Sequence, residues 1–115
     1  SNLHVRLELH KMFDGRSEDR IYDLGLKFFQ FKKSEEDDIA THLSKIEQIW
    51  HDLQAELLNE HITSLPDVLL ICKILGSLPE SYFNFRSSWV LLSRNEKTID
   101  NLTEQIFAYE RSLKE

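Results

Sequence analysis

The chain has 115 residues, of which 41% are hydrophobic and 30% charged, so one globular domain is expected. Its 20 acidic residues against 14 basic ones give a net charge of -6, which disfavours nucleic-acid binding by the chain as a whole. With only 3 Gly and 2 Pro, a lone Cys72 and no run of about 20 apolar residues, the sequence predicts a helical, intracellular, cytoplasmic protein with no membrane partner.

The first segment, "LHVRLELHKMF", is ambiguous between strand and helix. Its apolar residues alternate with polar ones, as in a half-buried strand. Four of them also share one helical face: Val5, Leu9, Met12 and Phe13. Because no second alternating segment exists to pair with a strand, we predict a helix that ends near Gly15.

The second predicted helix, "EDRIYDLGLKFFQF" with Ser17 as its N-cap, is apolar on two sides. One stripe consists of Ile21, Leu24, Phe28 and Phe31, and the other of Tyr22, Leu26 and Phe29. A helix of this kind is expected to lie between neighbours or to pack against another chain. Gly25 could allow another helix to approach closely.

A long third helix is predicted to begin at the capping box Ser34-Glu35-Glu36-Asp37 and to end near Asn59. Its apolar seam is Ile39, Leu43, Ile46, Trp50, Leu53 and Leu57. Ser64 is predicted to cap the fourth helix, which is apolar almost all round. The fourth helix should therefore be the most buried element, with Cys72 in or near the core.

The stretch "GSLPES" predicts a sharp corner between the fourth and fifth helices. Gly76 can end one helix, and Pro79 suits the first position of the next. The fifth helix carries the apolar residues Tyr82, Phe85, Trp89 and Leu92. Thr98 is predicted to cap a sixth helix with the seam Ile99, Leu102, Ile106, Tyr109 and Leu113. The predicted fold is a compact all-α bundle of about six helices.

The sequence offers little for catalysis or metal binding. Four of the five histidines have a carboxylate four residues away, which indicates solvated ion pairs more than ligation. Cys72 lies in an apolar run, and Ser77 and Ser81 lack a nucleophile elbow. The glycines form no phosphate-binding loop, and acidic residues follow the basic aromatic stretch around Lys32. We therefore predict no enzyme, no cofactor and no metal.

The corner and its flanks carry a resemblance to a known family. "LLICKILGSLPESYFNF" resembles the Leu-Leu-x-Ser-Leu-Pro-x-Ser-Tyr signature of the Gag polyprotein of copia-type long-terminal-repeat retrotransposons. "RIYDLGLKFFQFKKSEEDDIATHLSKIEQIWHDL" and "KTIDNLTEQIFAYERSL" are similar to the family's earlier and closing helices. The matching signature positions are Leu75, Ser77, Leu78, Pro79, Ser81 and Tyr82. Arg6 stands where the family often has tryptophan, and Gly76 replaces a more typical polar residue.

The resemblance implies one capsid-like domain over residues 1–115, with a sub-boundary near residues 32–38. Residues 1–33 would end an N-terminal lobe, and residues 34–115 would form a C-terminal lobe. The signature would be structural, and RNA would bind only to regions outside this segment.

Two functions follow from the resemblance. The first is homo-oligomerisation into a virus-like particle shell, with Tyr22, Leu26, Phe29 and Trp89 as candidate contacts. The alternative is a domesticated host adaptor that binds a partner peptide or protein in a helical groove.

Overall fold

A computed structural model describes residues 19–115, and the first predicted helix and Ser17 lie outside this range. The described residues form five α-helices, two short 3₁₀ helices and no strand, which confirms the predicted all-α class. The α-helices are α1 (residues 19–30), α2 (Ile39–Asn59), α3 (Asp67–Ser77), α4 (Phe83–Trp89) and α5 (Ile99–Leu113). The 3₁₀ helices are Glu80–Tyr82 and Arg94–Glu96. The sub-boundary proposed near residues 32–38 falls in the link between α1 and α2 and stays a prediction.

The long helix α2 lies at the centre of the described bundle and packs against α3 and α5. All six residues of its predicted seam are buried, together with His42 and Ile49. The prediction that the fourth predicted helix, α3, is the most buried element was therefore wrong. In α3 only Leu70, Ile71 and Ile74 are buried, because a single face of this helix contacts its neighbours.

Cys72 is a second correction in the same helix. The sequence predicted that it would lie in or near the core, but its side chain is exposed, as is that of Val68. The apolar run from Val68 to Cys72 cannot by itself distinguish a helix enclosed on all sides from one that packs through a single face.

The helix α1 packs against α2 through the first of its two predicted stripes. Leu24 and Phe28 are buried, and the Phe28 ring centroid lies 5.1 Å from that of Trp50. An ion pair of 3.2 Å between Arg20 and Glu56 joins the same two helices. This packing directs the second stripe of α1 away from α2.

The start of α2 differs from the prediction by four residues. Asp38, not Ser34, is the N-cap, and its side chain accepts a hydrogen bond of 2.8 Å from the Thr41 amide. That bond lowers the pKa of Asp38. The Ser34 hydroxyl instead accepts from the Glu36 amide within a turn. Lys33 holds this turn closed by donating to the carbonyls of Ser34 and Asp37.

The start of α3 also differs, because the predicted cap Ser64 makes no capping bond there. Pro66, in an extended conformation, precedes the helix directly. The loop before it is held by the Gln54 side chain, which donates to the Leu65 carbonyl at 2.7 Å and accepts from the Leu65 amide at 2.8 Å. A long-range clamp thus takes the place of a local cap.

The start of α5 matches the prediction. The Thr98 side chain accepts a hydrogen bond of 3.1 Å from the Asn101 amide, and Leu102 and Ile106 are fully buried. No described helix is both long enough and apolar enough to cross a membrane.

Candidate functional site

The Ser-Leu-Pro corner is a change of direction fixed by proline, not by glycine. Gly76, which was predicted to end α3, lies within the helix, and its backbone does not adopt positive φ. The helix ends one residue later at Ser77, since Leu78 is extended (φ -71°, ψ 148°) as a residue before proline should be. Leu78 is only 5% exposed, so the corner is anchored in the core.

Ser77 is the hydrogen-bonding centre of this corner. Its hydroxyl donates to the Ile74 carbonyl at 2.9 Å and lies 2.8 Å from Nε2 of His42. A serine hydroxyl has one proton, and this one is directed to Ile74. The contact with His42 therefore requires that Nε2 carries a proton and donates it to the serine oxygen. This contact joins the first turn of α2 to the last turn of α3.

His42 itself is fully buried and stacks on Phe31, with ring centroids 5.4 Å apart. With Nε2 protonated, Nδ1 is a bare acceptor in the neutral ring, and it has no hydrogen-bond partner within residues 19–115. Burial lowers the pKa of His42, and the positive charges of Lys33, Lys73 and Lys45 lower it further, while Asp37 acts in the opposite direction. The imidazole is accordingly held neutral.

His42, which has Asp38 four residues earlier, was among the histidines predicted to form solvated ion pairs, and its burial shows that this prediction was wrong. Its position carried a usable signal, because His42 lies three residues after Ile39 and directly before Leu43, on the buried face of α2. His51, nine residues later, is exposed as predicted.

Two basic side chains that the sequence analysis did not single out bind carbonyls at helix ends. Lys73 donates to the carbonyls of Phe29 and Phe31 at 2.9 and 2.6 Å, just where α1 ends. Burial, followed by the charge of Lys32, lowers the pKa of Lys73. Ammonium groups at helix C-termini complement the negative end of the helix dipole.

Arg86 has the matching role at the corner, where it donates from α4 to the Leu75 carbonyl at 3.3 Å and to the Leu78 carbonyl at 3.5 Å. Neither Lys73 nor Arg86 could be found from local spacing, because each reaches a carbonyl at least eight residues away.

The Ser-Tyr pair packs the corner onto α5. Tyr82 is 3% exposed, and its ring centroid lies 5.1 Å from that of Tyr109. Burial, and then the charges of Glu110 and Tyr109, raise the pKa of Tyr82 to about 12. Ser81 is exposed, and its carbonyl accepts a hydrogen bond of 3.0 Å from the Tyr109 hydroxyl. The signature residues thus lie together as one packed turn.

The second stripe of α1, here called the outer stripe, consists of Tyr22, Leu26 and Phe29. These side chains are 67%, 56% and 57% exposed, although all three are large and apolar. A spacing of four and then three residues places them in line on one side of the helix.

Trp89, the fourth candidate for self-association, does not share this exposure. It is 2% exposed and stacks with Phe85 inside the core, so it presents no surface to a second copy. Three more exposed apolar side chains, together called the α4 area, lie at the two ends of α4: Phe83 begins this helix, and Val90 and Leu91 follow it.

Within residues 19–115 no group of three or more His, Cys, Asp or Glu side chains is arranged to hold a metal ion. An open groove between α1 and α2 has a volume of about 430 Å³. The features that stand out in the described residues are a packed apolar core and exposed apolar side chains.

The fold and these surfaces define a helical structural module. The family model for the gag-polypeptide of LTR copia-type matches residues 5–115. The chain therefore belongs to this family of structural proteins, as the resemblance of its corner indicated. No curated protein and no solved structure matches the chain.

Proposed function

We propose that this domain is a self-association module of a Gag polypeptide, which homo-oligomerises through apolar helix faces to build a particle shell. The observation that carries the proposal is the outer stripe of α1, where three large apolar side chains are exposed in line. Scattered exposed apolar residues are ordinary on protein surfaces, but a continuous row of them marks an interaction site.

Each contact between two copies through the outer stripe is expected to be weak. Complete burial of a Leu, Phe or Tyr side chain contributes roughly 1.5–3 kcal/mol, and the outer stripe starts more than half exposed. A single pair of helices lies at the small end of specific interfaces, below about 1,200 Å² of total buried area. Shell assembly through such contacts depends on concentration and on many copies acting together.

A closed shell also needs more than one kind of contact per copy, because a single two-fold contact stops at the dimer. The exposed area of Phe83, Val90 and Leu91 supplies a second apolar surface. We propose that the outer stripe forms the first contact and that this α4 area forms the next. RNA would bind to regions outside this segment, and the domain itself would have no catalytic role.

The test compares two exposed leucines on helices. Leu26 is 56% exposed on the outer stripe, and Leu58 is 62% exposed at the end of α2. Sedimentation velocity and light scattering over a concentration series should show self-association of the wild-type chain and of Leu58→Asp, but a monomer for Leu26→Asp. A wild-type chain that stays monomeric at the highest concentration would refute the proposal.

Particle formation is a separate readout for the second surface. Negative-stain microscopy of the concentrated wild-type chain should show closed or extended assemblies. Phe83→Asp should still form dimers but should form no larger assemblies. If the Phe83→Asp chain assembles like the wild type, the α4 area has no part in the shell.

The second candidate function is an adaptor, and the groove between α1 and α2 favours it. Phe31 and Ile49 give this groove an apolar floor, while Lys27 and Lys45 lie at its rim. A partner peptide with apolar and acidic side chains would suit this lining. The adaptor predicts a chain that remains monomeric in the concentration series above and binds such a peptide, with binding lost in Gln48→Arg, which fills the groove.

A further inference from the structure

A second open groove, here called the basic groove, lies between the end of α1 and the last part of α3 and has a volume of about 780 Å³. Lys32, Lys33 and Lys73 are among the residues that line it. Within the described part of the chain, no acidic side chain lines this groove. Since the whole chain has a net charge of -6, the groove is a local concentration of positive charge that runs against the overall balance.

Two of these lysines are held in position by backbone carbonyls. Lys73 donates to two carbonyls at the end of α1, and Lys33 donates to two in the turn that follows. An ammonium group has three protons, so each of these two keeps one for a further acceptor. Lys32 is exposed and forms no hydrogen bond or ion pair within residues 19–115. The basic groove therefore offers three charged donors, two of which are already fixed in place.

The positive charges of the groove also act on one another. Burial lowers the pKa of Lys73, and the charge of Lys32 lowers it further. An anion that binds between these two side chains would relieve their repulsion. Its binding would thus be favoured by a charge arrangement that is unfavourable without it.

The acidic residues that follow Lys33 in the sequence do not line the basic groove, although their proximity in the chain argued against a phosphate ligand. Asp37 forms an ion pair of 2.7 Å with Lys45, and Asp38 caps α2. Glu35 lines an adjoining hollow that shares Lys33 with the groove, so its carboxylate would oppose an anion at that end only.

Gly76 gives independent support from shape. It lines the groove on the same face of α3 as Lys73, three residues earlier, and as Ser77. Its backbone does not adopt positive φ, and a Cβ atom there would meet nothing within 4 Å. Neither the backbone nor the packing of the described residues therefore requires glycine, which is a poor helix former. A ligand that occupies this space would require a residue without a side chain.

We propose that the basic groove binds a small anion with several linked phosphate groups, such as a triphosphate chain. Ammonium groups bind phosphate as point charges, and a chain of phosphates can contact all three lysines at once, whereas a single phosphate contacts fewer. The chain could belong to an inorganic polyphosphate or to a nucleotide, and both share this chemistry. The inference goes beyond the proposed function and does not depend on self-association.

The lysines have a competing explanation, because Lys33 and Lys73 also stabilise the end of α1 and the next turn by binding carbonyls. Lys32 and Gly76 have no such role in the described residues. Variants at these two positions therefore test ligand binding without removing a hydrogen bond of the fold.

The first experiment is isothermal titration calorimetry at low salt with tripolyphosphate and inorganic phosphate as probes. The wild-type chain should bind tripolyphosphate at least about tenfold more tightly than phosphate. Lys32→Gln should raise the tripolyphosphate dissociation constant about three- to tenfold. Arg94→Gln removes an exposed charge outside the groove and should leave this constant within about twofold of the wild type. Absence of tripolyphosphate binding by the wild type, or equal effects of the two variants, would overturn the proposal.

The second experiment separates shape from charge. Gly76 is exposed within α3, and glutamine is the better helix former, so Gly76→Gln should be at least as stable as the wild type in urea denaturation. Its longer side chain should fill part of the groove and raise the tripolyphosphate dissociation constant about tenfold, because the displaced ligand loses its contacts with the lysines. Unchanged binding by a folded Gly76→Gln chain would overturn the placement of the ligand in this groove.

Further probes identify the source of the phosphate chain. Equal dissociation constants for adenosine triphosphate and tripolyphosphate would show that the chain alone is recognised. Tighter binding of adenosine triphosphate would show that the exposed Phe29 ring, which also lines the groove, contacts the base. Either result supports the proposal. Binding of a short single-stranded RNA without binding of tripolyphosphate would overturn it and would assign the groove to nucleic acid.

Leu26→Asp distinguishes failure of this inference from failure of the proposed function. Leu26 does not line the basic groove, so this variant should lose self-association and still bind tripolyphosphate. A wild-type chain that binds tripolyphosphate but stays monomeric would refute the proposed function alone. A wild-type chain that self-associates but does not bind tripolyphosphate would refute this inference alone.

Discussion

Acidification is expected to destabilise this domain through His42. The ring is fully buried, donates from Nε2 to Ser77 and has no partner for Nδ1 within residues 19–115. A proton on Nδ1 would place a positive charge in the core near Lys33, Lys45 and Lys73, whose effect Asp37 opposes. In the unfolded chain, the same histidine takes up this proton freely.

The direction of this pH effect on stability follows from the lowered pKa of His42. An unfolded histidine titrates near pH 6.5, and the folded one titrates lower. Above about pH 6.5 both states are neutral, so His42 adds no pH dependence there. Below that value the unfolded state binds more protons, and the free energy of unfolding falls as the pH falls. The slope approaches about 1.4 kcal/mol per pH unit until the folded pKa is reached.

Urea denaturation followed by far-UV circular dichroism, over a series from about pH 7.5 to about pH 5, measures this slope. His42→Gln keeps a side-chain donor near Ser77 but cannot titrate, so its curve should be flatter than the wild-type curve over this range. His51→Gln is the matched control, because His51 is exposed on the same helix and should leave the slope unchanged. Equal slopes for the wild type and His42→Gln would refute this reasoning.

Three stability predictions concern single hydrogen bonds, all measured by the same denaturation method. Gln54→Ala should lower the free energy of unfolding by about 1–3 kcal/mol, because it leaves the half-buried Leu65 amide and carbonyl unpaired. A decrease smaller than that caused by Tyr109→Phe would contradict the role of Gln54 as a clamp. Thr98→Ala should cost about 1 kcal/mol through the lost N-cap, and Thr98→Ser should restore most of it. Tyr109→Phe should cost about 0.5–1.5 kcal/mol, since only the bond to Ser81 is lost; no change would mean that water replaces it fully.

Local signals in the sequence located most helices but not all of their ends. The seam of α2 and the Thr98 cap of α5 follow from spacing and capping chemistry, and both are present. Ser34 and Ser64 have the right chemistry for caps but do not fill that role. Contacts from distant residues, such as the Gln54 clamp, decide where those helices begin, and a local pattern does not encode such contacts.

The candidate sites also differ in whether a local sequence pattern could locate them. The corner could be located because proline restricts the residue before it, whatever the rest of the fold does. The link between His42 and Ser77 spans 35 residues and depends on how α2 and α3 pack, so spacing alone could not reveal it. Only the position of His42 on an apolar helix face hinted at burial, and the carboxylate four residues earlier pointed the other way.

The outer stripe shows why an apolar pattern on two sides of a helix identifies surplus surface without assigning it. Both stripes of α1 alternate steps of three and four residues and carry similar apolar side chains, so spacing alone does not say which one enters the core. Phe28 is fully buried and Phe29, its neighbour in the chain, is 57% exposed. The choice is made by α2, whose Trp50 contacts Phe28. What remains outside after that choice is a row of three large apolar side chains, each more than half exposed, which is more apolar surface than a lone domain requires.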